Sequence, residues 1–428
     1  MERTPKTDKP LQTLTAPNAA LDCRDLALGR SLYLKLENAL LLLNKDEILD
    51  LQTDRASDRG DLDGWCRLKG HTLLATLEGE EAHFLIRKNA ASSYAQKADW
   101  GVTLPRDEEG AIKVGDWLCG ATANIEIKAP EYFGLMPRGA AIEAGSPIYP
   151  FSLNHKKQIW SRPIAKLYEE AKNAQWNASR DIAWDKLPKL PDFLERAIAQ
   201  IMTYLAENEF SALYIPGKFI SRINPHYMEV VLFLASLIND EARHIEAFVK
   251  RAMANGGGLQ YSSAVTQRSL YSLFVEEDYL KTSFLLHIMG EGTFLDLLSF
   301  LEENAPDEVT KRIVTLAKAD EARHVAYGMA HVKANLEHNP YQIRRIKEAT
   351  HKRKAFLDEM SGESTLLIEA LAKVAGGSEG GRSFKAGLEA VDRLKARMNK
   401  NRVRRLIEVG IDEKLAIELS AIHTPNFM

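Results

Sequence analysis

A five-residue phrase occurs twice in this chain, as Asp240-Glu241-Ala242-Arg243-His244 and as Asp320-Glu321-Ala322-Arg323-His324. Each copy sets a Glu and a His three residues apart. On an α-helix that spacing puts both side chains on one face. Carboxylate oxygen with imidazole nitrogen is a ligand set suited to iron or manganese, and to zinc. Two such helices, with one more Glu from each of two others, compose a di-metal site inside a four-helix bundle. A single Glu-x-x-His on a helix is commonly a surface ion pair or a capped histidine. Two copies of the same phrase, each following a long apolar stripe, argue for the metal.

The elements that must carry these residues follow from helical periodicity and its breakers. Helices are expected from Ile164 to Gln175, from Phe193 to Tyr214, from Pro225 to Asn255, from Leu270 to Asn304 and from Glu308 to Asn339. Pro191 and Pro216-Gly217 bound the second, Gly256-Gly257-Gly258 close the third, and Pro340 stops the fifth. In the third helix Leu234, Leu237, Glu241, His244 and Phe248 share a stripe. In the fifth, Ile313, Ala317, Glu321, His324 and Gly328 repeat it. In the fourth, Glu291 interrupts Phe284, His287, Phe294 and Leu298. In the second, Glu209 interrupts Ile198, Ile201, Leu205 and Ala212, whereas Glu207 points away. Acids inside apolar stripes are costly to bury without partners. The candidate metal ligands are therefore Glu209, Glu241, His244, Glu291, Glu321 and His324. Four carboxylates balance two divalent cations, and two neutral imidazoles leave positions free for dioxygen.

The bulk composition narrows the alternatives. The chain has 428 residues, 45% hydrophobic and 27% charged, which is ordinary for a globular protein of two or three domains. A net charge of −3 argues against nucleic acid as a partner of the whole molecule. Cys23, Cys66 and Cys119 form no CxxC pair and suggest neither disulfides nor thiolate ligation. The first residues lack an apolar signal core, and no uncharged apolar run reaches the ~18 residues of a membrane span. A cytoplasmic location with no membrane partner is expected. Basic clusters at Arg344–Lys354 and Arg393–Arg405 read as solvated helix faces, or as a dock for an acidic electron donor or RNA.

Ahead of the helices lies a different pattern. Residues 1–18 read as a tail. Residues 19–90 alternate strand and helix, with a helix from Leu32 to Leu43, a strand from Glu47 to Thr53, a helix from Asp61 to Lys69 and a strand from His83 to Arg87. The order β-α-β-α-β(β) makes a small two-layer α/β domain. Residues 91–155, punctuated by Gly and Pro, read as an irregular connector with short strand-like runs such as Ala123 to Ile127. The helical bundle takes residues 156–375. Gly376 to Gly381 is a flexible break, and residues 376–428 form a C-terminal helical extension with helix from Phe384 to Ala421.

The segments Leu21-Asp22, Leu26, Asp61-Leu62-Asp63-Gly64-Trp65-Cys66, Gly70-His71 and Phe84-Leu85-Ile86-Arg87-Lys88 resemble the TusA-like sulfur-carrier fold. That family works through a Cys-Pro-x-Pro at its first helix start. Here the position reads Leu28-Gly29-Arg30-Ser31, so the resemblance implies a docking or structural module without the nucleophile.

The repeated phrase, Glu291-Gly292 and the segment Trp176 to Trp184 resemble the ferritin-like di-iron carboxylate superfamily, in its ribonucleotide reductase small subunit and bacterial multicomponent monooxygenase branch, over residues 160–340. The resemblance implies a mainly α fold, a ferritin-like four-helix bundle with extra helices, holding two iron ions, with Mn/Fe as the other pairing. It implies that Asp240 and Asp320 accept hydrogen bonds from the histidine of the opposite phrase, and that Arg243 and Arg323 pair with those acids; both arginines facing water is the alternative. His287 is an extra ligand, as in some N-oxygenating relatives, or a group supporting Glu291. The family's radical tyrosine position holds Phe248, and the threonine that many hydroxylases place after the third Glu is Leu295, with Thr293 on another face. An oxygenase or oxidase is expected, activating O₂ to hydroxylate, N-oxygenate or desaturate a small organic substrate. No flavin, nicotinamide or cluster motif is present, so electrons come from an external ferredoxin or reductase. A homodimer is compatible. The competing readings are a ferroxidase or peroxide-reducing protein, and a non-catalytic scaffold linked to sulfur relay or RNA modification.

Overall fold

The computed structural model describes residues 16–54, 59–78, 82–89, 104–115, 125–138, 140, 147–358 and 365–423. Most of the expected tail, Cys119 and the start of the Ala123 run lie outside these. The chain divides into two compact units, Met1–Thr103 and Leu104–Met428.

The first unit runs β1 (Ala19–Asp22), α1 (Arg30–Leu41), β2 (Ile48–Thr53), α2 (Arg59–Lys69), β3 (Thr72–Glu78) and β4 (Ala82–Arg87). The sheet order is β1-β2-β4-β3, with β1 parallel to β2 and the other pairs antiparallel. Leu32, Leu36 and Leu40 repeat every fourth residue of α1 and, with Leu62 and Cys66 of α2, bury against Leu49, Leu51, Phe84 and Ile86 of the sheet. β3 supplies the bracketed strand of the expected order, to which the sequence assigns no bounds. Cys23 and Cys66 are buried and unbridged. Burial pushes the Cys66 thiol up to about 12 and also raises Cys23, so neither is a ready thiolate.

The second unit is mainly helical. Its elements are α3 (Ile164–Asn173), α4 (Asp192–Ile220), α5 (Met228–Met253), α6 (Ala264–Phe274), α7 (Tyr279–Asn304), α8 (Glu308–His338), α9 (Ile343–Asp358), α10 (Thr365–Gly376), α11 (Gly381–Glu408) and α12 (Glu413–His423). Helices α4, α5, α7 and α8 form the bundle. α7 is long and apolar enough to cross a membrane by length and composition, but 89% of its apolar window is buried in the protein.

Four boundaries differ from the sequence reading. Pro216 does not end α4; the helix continues to Ile220 with Pro216 buried inside it. Burial of Ile215 and Phe219 outweighs the one backbone hydrogen bond that proline removes. The expected helix from Leu270 to Asn304 is two helices, because Asp278 caps the start of α7 by accepting from the Lys281 amide at 3.1 Å. The expected helix from Phe384 to Ala421 also breaks, at Gly410 with φ +99°. The Gly376–Gly381 stretch joins α10 and α11 as a tight hairpin rather than a slack linker. A Cβ on Gly387 would lie 1.9 Å from the Ala372 carbonyl oxygen, and one on Gly376 2.5 Å from that of Ser383. The expected extension therefore shares its core with the bundle.

The described parts of the connector are tied down. The Tyr227 hydroxyl donates to the carbonyls of Ile127 (2.9 Å) and Asn154 (3.1 Å), and Arg138 pairs with buried Glu229 at 2.5 Å. Arg402 and Arg405, read above as part of a basic face, are buried against Thr293, Ser420 and Asp296.

Candidate metal centre

α4 brings Glu209, α5 brings Glu241 and His244, α7 brings Glu291, and α8 brings Glu321 and His324. Each has an exposure of 3% or less. Their ligand-type atoms fall into two groups. Glu209, Glu241, His244 and Glu321 form one; Glu241, Glu291, Glu321 and His324 form the other. Within each group the atoms lie within 4.8 Å of one another. Glu241 and Glu321 belong to both.

The two imidazoles are set alike. His244 turns Nδ1 inward, 3.1 Å from Glu241 and 3.5 Å from Glu209 and Glu321. Its Nε2 donates to Asp320 at 3.1 Å. His324 points Nδ1 at Glu241 (3.1 Å), and its Nε2 donates to Asp240 at 3.3 Å. Each aspartate thus holds the histidine of the opposite phrase and leaves that ring's Nδ1 facing the centre. Arg243 donates to Asp240 (2.6 Å) and Asp320 (3.1 Å); Arg323 reaches the same two acids. Neither arginine faces water.

The electrostatics are those of crowded anions. Burial, then the neighbouring carboxylates of Glu241 and Glu321, raise Glu209 well above the carboxylate range. Burial also raises Glu291. Burial opposes ionisation of Glu241 too, but the charges of His324 and His244 hold it low. Burial would lower both histidines; the carboxylates around them more than reverse that. Protons on the imidazoles thus offset the anionic cluster.

The fit to cations rests on orphaned atoms. Oε1 of Glu209, Glu241 and Glu291, both oxygens of Glu321 and Nδ1 of His324 are buried with no hydrogen bond. Buried polar atoms are ordinarily satisfied, and here six unsatisfied ones belong to five side chains of one cluster. Oxygen-rich, sulfur-free ligation with two imidazoles suits iron or manganese. These residues could hold two such ions.

His287 stands outside both groups. Its Nδ1 bonds Glu291 at 2.6 Å. It sits in a π-helical turn of α7, Phe284–Glu291, a widening that often marks functional positions. Gly328 of α8 makes room for it, since a Cβ there would lie 2.1 Å from the His287 Cβ. His287 also lines a cavity of about 10 Å³, with Pro216, Leu234 and Leu286. That is space for one water. Glu207 points elsewhere, bonded to Ser262 and Gln267. His331 is a core residue with both ring nitrogens bonded, to Ser283 and the Gln158 carbonyl.

Sequence reasoning passed over two contributors. The Trp176 Nε1 donates to Asp320 at 2.8 Å, and its ring stacks on His244 with centroids 6.2 Å apart. Gln175 donates to Asp240 at 3.1 Å. Both follow α3, and only the weak Trp176 to Trp184 match pointed there.

No family model matches this chain, and no curated protein matches it. Among solved structures, the chain is similar to a variant of an R2-like ligand-binding oxidase with an aerobically reconstituted Mn/Fe cofactor. That match has 17% identity and a TM-score of 0.46, and covers 59% of this chain and 95% of that one. Another variant of the oxidase, with an Fe/Fe cofactor, matches at the same identity, TM-score and coverage.

Proposed function

We propose that this chain is a ferritin-like di-metal oxidase or oxygenase, with Glu209, Glu241, His244, Glu291, Glu321 and His324 as ligands to two iron ions or a manganese–iron pair. The observation that carries the proposal is the convergence of buried, unbonded carboxylate oxygens from four helices. When bound there, the metal pair would supply reduction of dioxygen and the oxidising equivalents for a small organic substrate. The chain's own residues do the rest. Asp240 and Asp320 keep the Nε2 protons of His324 and His244, so each ring offers Nδ1 to a cation once the Nδ1 proton is displaced. The histidines, and after them Arg243 and Arg323, keep those aspartates ionised, and the arginines hold them in place. Burial of all six ligands excludes bulk water. External electrons have a hydrogen-bonded path inward from Trp176 through Asp320 to His244.

Anaerobic titration with Fe(II), followed by metal analysis and O₂ uptake, tests the proposal. Two ions per chain and O₂ consumption without mineral growth are expected. Failure to retain metal would favour a scaffold; steady accumulation of ferric mineral would favour a ferroxidase.

A further inference from the structure

A pocket of about 630 Å³ opens where the Ser152–Gln158 segment, the start of α7 and the end of α8 come together. That volume is typical of small-molecule sites, and nothing in the oxidase reading uses it. Two acids line it, and both are occupied. Glu277 pairs with Arg222 at 2.7 Å, and Asp278 caps α7 while pairing with Arg345. Three further basic residues line it, of which His155 caps the turn that follows it, its Nδ1 accepting from the Lys157 amide at 3.3 Å and its Nε2 remaining for a ligand. Lys157, His155 and His338 have no carboxylate within ion-pair distance among the described residues. Lys157 and His338 stand exposed at the rim and His155 is half-buried. They are close enough to feel one another: after burial, the charges of Lys157 and His338 are what lower the His155 ring. The wall carries Lys157, Arg222 and Arg345 against two acids, and the His155 ring, held below its ordinary range, adds an N–H donor rather than a charge. A concave wall focuses such an excess. Tyr279, almost fully buried, also lines the pocket, and its hydroxyl bonds that of Tyr327 at 2.5 Å. The Tyr327 ring in turn meets His287 edge-on. This site is therefore separate from the carboxylate cluster but joined to it by a continuous series of aromatic contacts.

We propose that this pocket binds a small phosphorylated molecule, its phosphate group against Lys157, His155 and His338. Arg222 and Arg345 are held by acids and shape the rest of the wall. The inference stands whether or not the cluster carries metal, so it is tested on the metal-free protein. Inorganic pyrophosphate is titrated calorimetrically, with succinate as the carboxylate counterpart. The expected result is saturable one-to-one binding of pyrophosphate that weakens with salt, at least tenfold weaker binding of succinate, and a loss of tenfold or more in Lys157→Glu. Lys414→Glu, an exposed lysine on α12, should bind as the unaltered chain does. If Lys157→Glu does not give a native circular dichroism spectrum, His338→Glu takes its place. No saturable heat, equal or tighter binding of succinate, or equal losses in the two lysine variants would overturn the proposal.

Discussion

Glu321 belongs to both ligand groups, and neither of its oxygens has a hydrogen bond. Neutralising it should weaken the cluster both with and without metal. Glu321→Gln removes a carboxylate that faces the Nδ1 atoms of both His244 and His324 at 3.5 Å, so the metal-free protein should lose about 3 kcal/mol or more and melt several degrees lower. The rise in melting temperature that Fe(II) or Zn(II) gives the unaltered chain should vanish; calorimetry in both states checks the pair of effects. Asp320→Asn keeps the shape but loses the negative charge and one of the two acceptor oxygens that serve His244, Trp176 and the two arginines. Metal affinity should fall about 10–100-fold, read by competition with a chelator. Which side chains converge was legible because a helix fixes the relation between residues three and four apart. That Gln175 and Trp176 join them was not, since only packing of the turn after α3 on α5 and α8 brings them in.

At the scale of elements, the Asp278 cap and the Gly410 break were local signals left unread, whereas two other misreadings arose where tertiary packing overrules a local signal. Pro216 reads as a stop, yet it sits inside α4, buried beside Ile215 and Phe219. Gly376 to Gly381 reads as slack, yet Gly387 and Gly376 allow backbone contact between α10 and α11 that no larger residue permits. The π-helical turn of α7 has no sequence signature, although the stripe reading still put His287 and Glu291 on one face. Close packing of α8 on that turn gives a direct test. Gly328→Ala should cost about 1–3 kcal/mol through overpacking against His287. Gly217→Ala in α4, where an added methyl meets nothing within 4 Å, should instead gain about 0.5–1 kcal/mol. Urea denaturation of the two variants decides.

For the whole molecule, the division into an α/β unit and a helical unit, each with its own apolar core, was visible in the change from alternating to helical periodicity. Two thermal transitions are expected, and only that of the helical unit should move when metal is added. Acid stability follows from two histidines away from the cluster. Burial holds both His226 and His331 down at about 4, from an ordinary 6.5. Between those values the unfolded chain binds more protons than the folded one. Stability should therefore fall as pH drops from 6.5 toward 4, by about 1.4 kcal/mol per histidine per pH unit at the steepest. Above that window these groups contribute no slope. Urea titrations at pH 7 and pH 5 measure the loss, and His226→Phe should shrink it.

Two carboxylates serving both groups have a consequence for how the centre fills. The first cation to arrive draws on the anions that the second will need, while also easing the repulsion that kept the vacant half strained. Loading cannot then be two identical, independent events. Whether the second ion comes in more readily or more reluctantly than the first is set by Glu209 and Glu291, the acids that each half keeps to itself.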